Sequence, residues 1–164
     1  MQDESLILTA AKSLADGDAD LDATGIAPFL SYLHTTDAVH IGGAMHDTLN
    51  VRVSPSSVFN PVGAECIIRI QVFPVSTYLD IVTLATAVGT LAVIPIATVE
   101  TTSAAIERGE LTIPLSRRPI SGDFIQLLIW VFPSTGTDGI DQGRINARIT
   151  HYDDNASYPF PNGI

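Results

Sequence analysis

Residues 81–99 constrain the fold most, because these nineteen positions carry no charge. A run of roughly 18 or more apolar residues is long enough to cross a bilayer as a helix. Four threonines interrupt this run, however, and Gly89 and Pro95 lie inside it among many β-branched residues. Such residues favour a pleated sheet over a helix. We therefore predict two buried strands, 79–86 and 91–99, with a turn at Gly89 and with Pro95 at an edge or bulge.

Alternation of apolar and polar residues predicts further strands along the chain. Leu49, Val51 and Val53 alternate with Asn50 and Arg52, which is the period of a strand with one buried face. Clusters of Gly, Pro, Asn and Asp between the apolar runs supply turns. About eight strands without amphipathic helices between them predict an all-β, antiparallel β-sandwich, specifically a jelly roll. The predicted strands are 39–41, 49–53, 64–75, 79–86, 91–99, 110–115, 124–132 and 144–152.

The two ends differ in composition from this central region. We predict an N-terminal arm at 1–38, a sandwich domain at 39–152 and a C-terminal tail at 153–164, which is rich in proline. Aromatic side chains give interfaces much buried area at little rotamer cost. We expect the ends to contact neighbouring subunits; the alternative is that they cover the edges of their own sandwich. The expected contact residues are Phe29, Tyr32, Leu33, Tyr158 and Phe160, together with the basic doublet Arg117 and Arg118, for which a plain loop pair is the alternative.

Composition predicts a protein that hides its surface in an assembly. Only 16% of the residues are charged and the mean hydropathy is +0.29, so partners are expected to cover apolar surface. The net charge of −10 argues against a nucleic-acid partner, which needs clustered cations. Seven of the eight basic residues are arginine, the basic residue enriched at protein interfaces. The acidic first residues lack the basic segment of a signal peptide, which predicts synthesis in a cytosol without processing for export; no membrane partner is expected.

No motif in the sequence predicts catalysis, a cofactor or a metal. The acidic run 16–22 has aspartates at alternate positions, but Leu21 and Ala27 stand where a calcium loop starting at residue 16 needs Gly and Glu; a solvated turn is the better interpretation. His34, His40 and His46 recur every six residues without a supporting carboxylate motif, so we interpret them as surface or interface histidines. Cys66 lies in an apolar run and is predicted to be a buried, inert thiol. The sequence therefore predicts a protein that is not an enzyme.

The order of the segments resembles that of the head cement, or decoration, proteins of tailed bacteriophages. The resemblance covers most of residues 1–152, although this chain adds an insertion at about 24–38 and the tail. It implies a jelly roll that binds the major capsid protein, without catalytic residues. The matching segments are DESLILTAAKSL near the start with Asp20-Leu21-Asp22, His40-Ile41-Gly42-Gly43 followed by residues 49–53, Pro61 to Ala64 leading to residues 70–72, residues 110–115 before residues 124–130, and residues 143–149.

The expected function is therefore structural. We expect a homo-oligomer, dimer or trimer, that stabilises a capsid shell from its outer surface in the virion. Another minor virion component is compatible with the same features. A different class, a carbohydrate-binding jelly-roll module, remains an alternative, but the single tryptophan, Trp130, lies in an apolar strand where we expect burial rather than sugar stacking.

Overall fold

A computed structural model describes residues 6–22, 32–41, 49–61, 66–89, 93–109, 111–115, 124–132 and 140–151. Strands dominate these residues, and two short α-helices lie between them. A 3-10 turn occupies Asp16–Asp18. In chain order the elements are β1 (Ile7–Ser13), β2 (Leu21–Asp22), β3 (Tyr32–Thr35), β4 (Val39–His40), β5 (Leu49–Pro55), β6 (Asn60–Pro61), β7 (Ile67–Val75), α1 (Ile81–Gly89), β8 (Ala97–Thr102), α2 (Ser103–Arg108), β9 (Leu111–Pro114), β10 (Phe124–Phe132), β11 (Ile140–Gln142) and β12 (Arg144–His151).

The strands form two antiparallel sheets that pack against each other as a β-sandwich. Sheet A has the order β1-β12-β5-β9, and sheet B has the order β2-β3-β10-β7-β8 with β4 also paired to β10. The short strands β6 and β11 pair separately. The chain passes repeatedly between the sheets, since β1, β5, β9 and β12 belong to sheet A whereas β3, β7, β8 and β10 belong to sheet B. The predicted all-β sandwich is therefore confirmed.

One apolar core fills the space between the sheets. Val51 and Val53 of β5 and Ile149 of β12 enter it from sheet A, and Ile70 of β7 and Leu127 of β10 enter it from sheet B. Each of these side chains is at most 1% exposed. Successive residues of a strand point to opposite faces, which explains why the alternating β5 sequence has only one face in this core. Cys66 is fully buried beside it, as predicted.

The segment 79–99 departs from the prediction, because residues 81–89 form a helix rather than a strand. Residues 93–96 are irregular, and β8 begins only at Ala97. The intrinsic β preference of Val, Ile and Thr is weak enough for tertiary packing to override it. In this chain the overriding contact is the apolar outer face of sheet B, on which the helix lies. No helix in the described ranges is long and apolar enough to cross a membrane.

The predicted arm at 1–38 is also different in its described part. Strand β1 pairs with β12 at the edge of sheet A, and β3 pairs with β10 within sheet B. The residues in these two strands therefore complete the sandwich instead of leaving it. Strand β1 contains a distorted register and a left-handed residue, Ala11, with φ 51°. The amide of Ala11 donates to Asn146 Oδ1 at 2.8 Å, so the irregular strand is tied to β12.

Candidate binding surfaces

Helix α1 begins at a side-chain cap. The backbone N–H of Thr83 donates to Asp80 Oδ1 at 2.9 Å, and the Thr83 hydroxyl donates to Asp80 Oδ2 at 3.1 Å. These bonds favour the ionised carboxylate and lower the pKa of Asp80 below its ordinary value. An aspartate at this position satisfies N–H groups that the first turn of a helix leaves without partners. The local sequence therefore specifies where the helix starts.

One face of α1 packs on sheet B. Ile81, Leu84, Ala85 and Val88 follow the i, i+3, i+4, i+7 spacing of a helical stripe, and all four belong to a second apolar cluster. Leu84 is fully buried there. The sheet contributes residues whose side chains point away from the main core, including Phe73, Val75 and Leu128, with Leu33. We call this helix and the adjoining residues 79–80 and 93–96 the outer layer.

A buried glutamine fastens the outer layer to the sheet. Gln126 of β10 is fully buried on this side of sheet B. Its Oε1 accepts from the Leu79 N–H at 3.0 Å, and its Nε2 donates to the Leu79 carbonyl at 2.7 Å. The same Nε2 donates to Thr35 Oγ1 at 3.0 Å and to the Thr36 carbonyl at 3.3 Å. Since a buried polar group is costly without partners, Gln126 fixes the chain entering α1 relative to β3.

The opposite face of the outer layer is apolar and exposed. Val82 on α1 is 58% exposed, and Ile94 in the following loop is 66% exposed. Thr83 and Thr86 are exposed beside Val82 and carry no charge. The uncharged run 81–99 thus lies over sheet B, and part of it faces solvent. Exposed apolar side chains in an uncharged run of a chain with net charge −10 are candidates for contact with another protein.

Trp130 lies at the margin of this region on the outer face of sheet B. It is half-buried rather than fully buried, which corrects the burial expected from the sequence. Its ring stacks on Phe132 with centroids 5.9 Å apart, and its Nε1 donates to Gln71 Oε1 at 2.7 Å. The Arg69 guanidinium lies 5.0 Å from the Phe132 centroid and pairs with Glu100 at 2.6 Å. The two rings are therefore engaged mainly by neighbours within the chain.

A polar recess lies at the corner where β1, β3 and the loop before α1 meet. Lys12 Nζ forms an ion pair with Asp20 Oδ2 at 2.8 Å, and the backbone N–H of Thr35 donates to the same oxygen at 2.8 Å. The cavity has a volume of about 190 Å³. Tyr78, at its rim, is 51% exposed. The lining residues are Thr9, Lys12, Asp20, Thr35, Thr36, Asp37 and Tyr78.

Two aspartates of the run 16–22 hold this corner together through hydrogen bonds. Ser13 Oγ donates to Asp18 Oδ2 at 2.7 Å, while Asp20 joins β1 to β3 as described above. The sequence identified the run only as a solvated turn. Its link to Thr35 could not be seen in the sequence, because the partners are separated by fifteen residues.

His34 is buried next to this corner and is not a surface histidine, which corrects that interpretation. Its side chain is fully inaccessible, and no described residue satisfies either ring nitrogen. Burial lowers the pKa of His34 to about 4, with a smaller contribution from the Lys12 charge; Asp20, Asp18 and the Leu14 backbone act in the opposite direction. His34 is therefore neutral near pH 7. His40 is exposed, with its ring edge-on to Phe124 at 5.0 Å.

The structure does not gather the predicted contact residues into one surface. Tyr32 is 7% exposed and lies in the main core, while Leu33 is 1% exposed beneath the outer layer. Both are covered by their own chain, so these two side chains lie in its apolar clusters rather than on its surface. The other five predicted residues lie outside the described residues, namely Phe29, Arg117, Arg118, Tyr158 and Phe160.

Neither a metal-binding cluster in the described ranges nor a matching protein identifies a function for these surfaces. Within the described ranges no three His, Cys, Asp or Glu side chains are placed to hold a metal ion. The side chains of His46 and His151 are not among those described. No protein-family model and no curated protein matches the sequence. The candidate surfaces must therefore be judged by their own chemistry.

Proposed function

We propose that the chain is a virion structural protein that binds the outer surface of a capsid shell and stabilises it through protein–protein contacts. The partners in this proposal are the major capsid protein and further copies of the chain, as a dimer or trimer. The observation that carries the proposal is the outer layer, where the exposed apolar side chains Val82 and Ile94 belong to an uncharged run of an acidic protein. The resemblance in segment order to phage head cement proteins points to the same class.

The strand order supports the further proposal that the sandwich is a jelly roll. If the short strands β2, β4, β6 and β11 are set aside, eight strands remain. Sheet A then contains the first, eighth, third and sixth strands in spatial order, and sheet B contains the second, seventh, fourth and fifth. Such repeated crossing between two antiparallel sheets is the pattern of two Greek keys, an architecture used by viral capsid and lectin domains.

Burial of Val82 and Ile94 would contribute to the free energy of binding. Fully burying one such side chain is worth about 1.5–3 kcal/mol, and both are more than half exposed in the isolated chain. A partner that covers both would gain about 2–4 kcal/mol from them before the costs of association. The helix that presents Val82 is held by Leu84 and by Gln126 through Leu79, so the surface is largely formed before a partner binds.

Co-sedimentation with capsid shells tests this proposal. Purified protein is mixed with shells built from the major capsid protein of the virus that encodes it. We expect saturable binding and an increase in the temperature at which the shells open. A double variant, Val82→Glu with Ile94→Glu, places charge on the outer layer and should weaken binding by at least about tenfold.

Val58→Glu is the matched control, because Val58 is 66% exposed, as Ile94 is, but lies between β5 and β6. It should bind shells as the unmodified protein does. Shells that neither bind the protein nor gain stability would overturn the proposed function. Equal weakening by the double variant and by Val58→Glu would instead remove the outer layer from it. Light scattering measured in line with gel filtration tests the dimer or trimer separately.

A further inference from the structure

We propose that the polar recess beside Lys12 and Asp20 is a binding site for one neutral sugar ring. The recess is separate from Val82 and Ile94, so a sugar could bind whether or not the outer layer contacts a capsid. The inference rests on the combination of groups that line one cavity: two carboxylates, an ammonium group, threonine hydroxyls and a half-exposed tyrosine.

The lining groups match the two kinds of surface that a sugar ring presents. Neighbouring sugar hydroxyls donate to carboxylates and accept from ammonium groups, which Asp37 and Lys12 supply in this recess. The C–H face of a sugar ring is apolar and packs on an aromatic ring. Tyr78 provides an amphipathic aromatic group at the rim, with half of its surface exposed.

One carboxylate of the recess is held in place before a ligand arrives. Asp20 Oδ2 accepts from both Lys12 Nζ and the Thr35 N–H at 2.8 Å. The Thr35 hydroxyl is also fixed, since it donates to the Leu127 carbonyl at 2.9 Å. A site whose polar groups are already oriented loses less entropy when it binds a ligand. Among the residues that the structure describes, none bonds to the Asp37 carboxylate or to the Tyr78 hydroxyl.

Charge and size restrict the ligand class. The lining carries two negative charges, from Asp20 and Asp37, and one positive charge, from Lys12. Its net charge is therefore negative, on a chain whose net charge is −10. This field repels phosphate, sulfate and acidic sugars. The volume of about 190 Å³ corresponds to about six water molecules at roughly 30 Å³ each, which suits a single ring rather than a long chain within the cavity. A neutral monosaccharide, or one terminal residue of a glycan, has the required chemistry.

Nuclear magnetic resonance on the full chain tests the proposal. A ¹⁵N-labelled sample is titrated with glucose, galactose, mannose, fucose and N-acetylglucosamine up to about 10 mM, and with galacturonate and N-acetylneuraminate as acidic probes. We expect at least one neutral sugar to shift the amides of Thr36, Asp37 and Tyr78 saturably, and the acidic probes to bind at least about tenfold more weakly. An oligosaccharide ending in the preferred sugar distinguishes a glycan terminus from a free monosaccharide.

Variants show whether the recess itself binds. Tyr78→Ala and Asp37→Asn should each weaken binding by about tenfold or more, whereas Tyr78→Phe should stay within about threefold because its ring remains. Val58→Ala, which lies outside the recess, should bind as the original chain does. Unchanged amide positions in the β10 core verify the fold of each variant. The proposal is overturned if no neutral sugar gives saturable shifts, or if Tyr78→Ala and Asp37→Asn bind with unchanged affinity.

Discussion

The two sheets of the sandwich differ in what they present on their outer faces. In sheet A, the side chains that alternate with core residues are polar, as at Asn50 and Arg52 of β5 and Thr150 of β12. In sheet B, the corresponding side chains of β7 and β10 include Phe73 and Leu128, which are fully buried under the outer layer. Sheet B is therefore apolar on its inner face and also on the part of its outer face that lies beneath α1. This difference explains why α1 covers sheet B, since it buries apolar side chains of that sheet which would otherwise face solvent.

The largest effects should come from shortening neighbouring leucines that face opposite sides of sheet B. Leu127 points into the main core and Leu128 into the smaller outer cluster, and both are fully buried. We expect Leu127→Ala to lower the free energy of unfolding by about 3–5 kcal/mol and Leu128→Ala by about 2–3 kcal/mol, because one helix relaxes more readily around a cavity than two packed sheets do. Thr150 on the outer face of sheet A is buried, and no described residue bonds its hydroxyl, so Thr150→Ala should cost less than about 1 kcal/mol. Urea unfolding measures all three; an equal cost for Leu128→Ala and Thr150→Ala would contradict the contrast between the sheets.

Acid should lower the free energy of unfolding, because it favours protonation of His34 in the unfolded chain. Its pKa is about 4 in the folded chain and 6.5 ordinarily, so the unfolded chain binds the proton more readily between these values. The stabilisation is complete above pH 6.5 and declines as the pH falls toward 4, by about 3 kcal/mol in total. Urea unfolding at several pH values measures this slope. His34→Leu should show a shallower slope over the same range, because it removes the buried imidazole whose pKa is lowered to about 4; an unchanged slope would exclude the role of His34.

A smaller loss is expected when the outer layer is unfastened from sheet B. Gln126→Leu keeps the approximate side-chain volume but leaves the N–H and carbonyl of Leu79 without their partner. We expect the free energy of unfolding to fall by about 1–3 kcal/mol. Amide hydrogen exchange should accelerate more in α1 than in β7. Exchange that accelerates equally in both elements would mean that Gln126 supports the whole sandwich rather than its outer layer.

The smallest effect should be a gain at the edge of sheet A. Ala11 has φ 51°, a conformation that a residue with a Cβ adopts at a cost and that glycine adopts readily. Ala11→Gly should therefore raise the free energy of unfolding by about 0.5–1 kcal/mol, provided that the bond from its amide to Asn146 is kept. Thermal unfolding measures the change, with Ala10→Gly on the same exposed strand as a control that should lose stability.

The sequence predicted best those elements whose signal lies within the element itself. The strand 124–132 was predicted with its observed bounds, because a long apolar run is explained by burial on both faces. The helix was missed although Asp80, Leu84 and Val88 carried a cap and a helical stripe, because β-branched residues dominated the local preference. The placement of residues 7–13 and 32–35 could not be read locally, since β1 pairs with β12 across the length of the chain.

The same limit applied to the candidate surfaces. The uncharged composition of residues 81–99 was visible, but the exposure of Val82 and Ile94 depends on the helix and on its position over sheet B. The polar recess combines residues from β1, β3 and the loop before α1. No local motif connects Lys12, Asp37 and Tyr78, and only the sheet pairings bring them together.

Hydrogen exchange with and without capsid shells tests most directly whether the outer layer is the contact surface. Exchange is followed by mass spectrometry on peptides that cover the chain. We expect slower exchange on shell binding in peptides covering 79–89 and 93–96, with little change in β5 and β12 of sheet A. Slower exchange confined to sheet A, with residues 79–96 unchanged in a fully bound sample, would contradict this expectation.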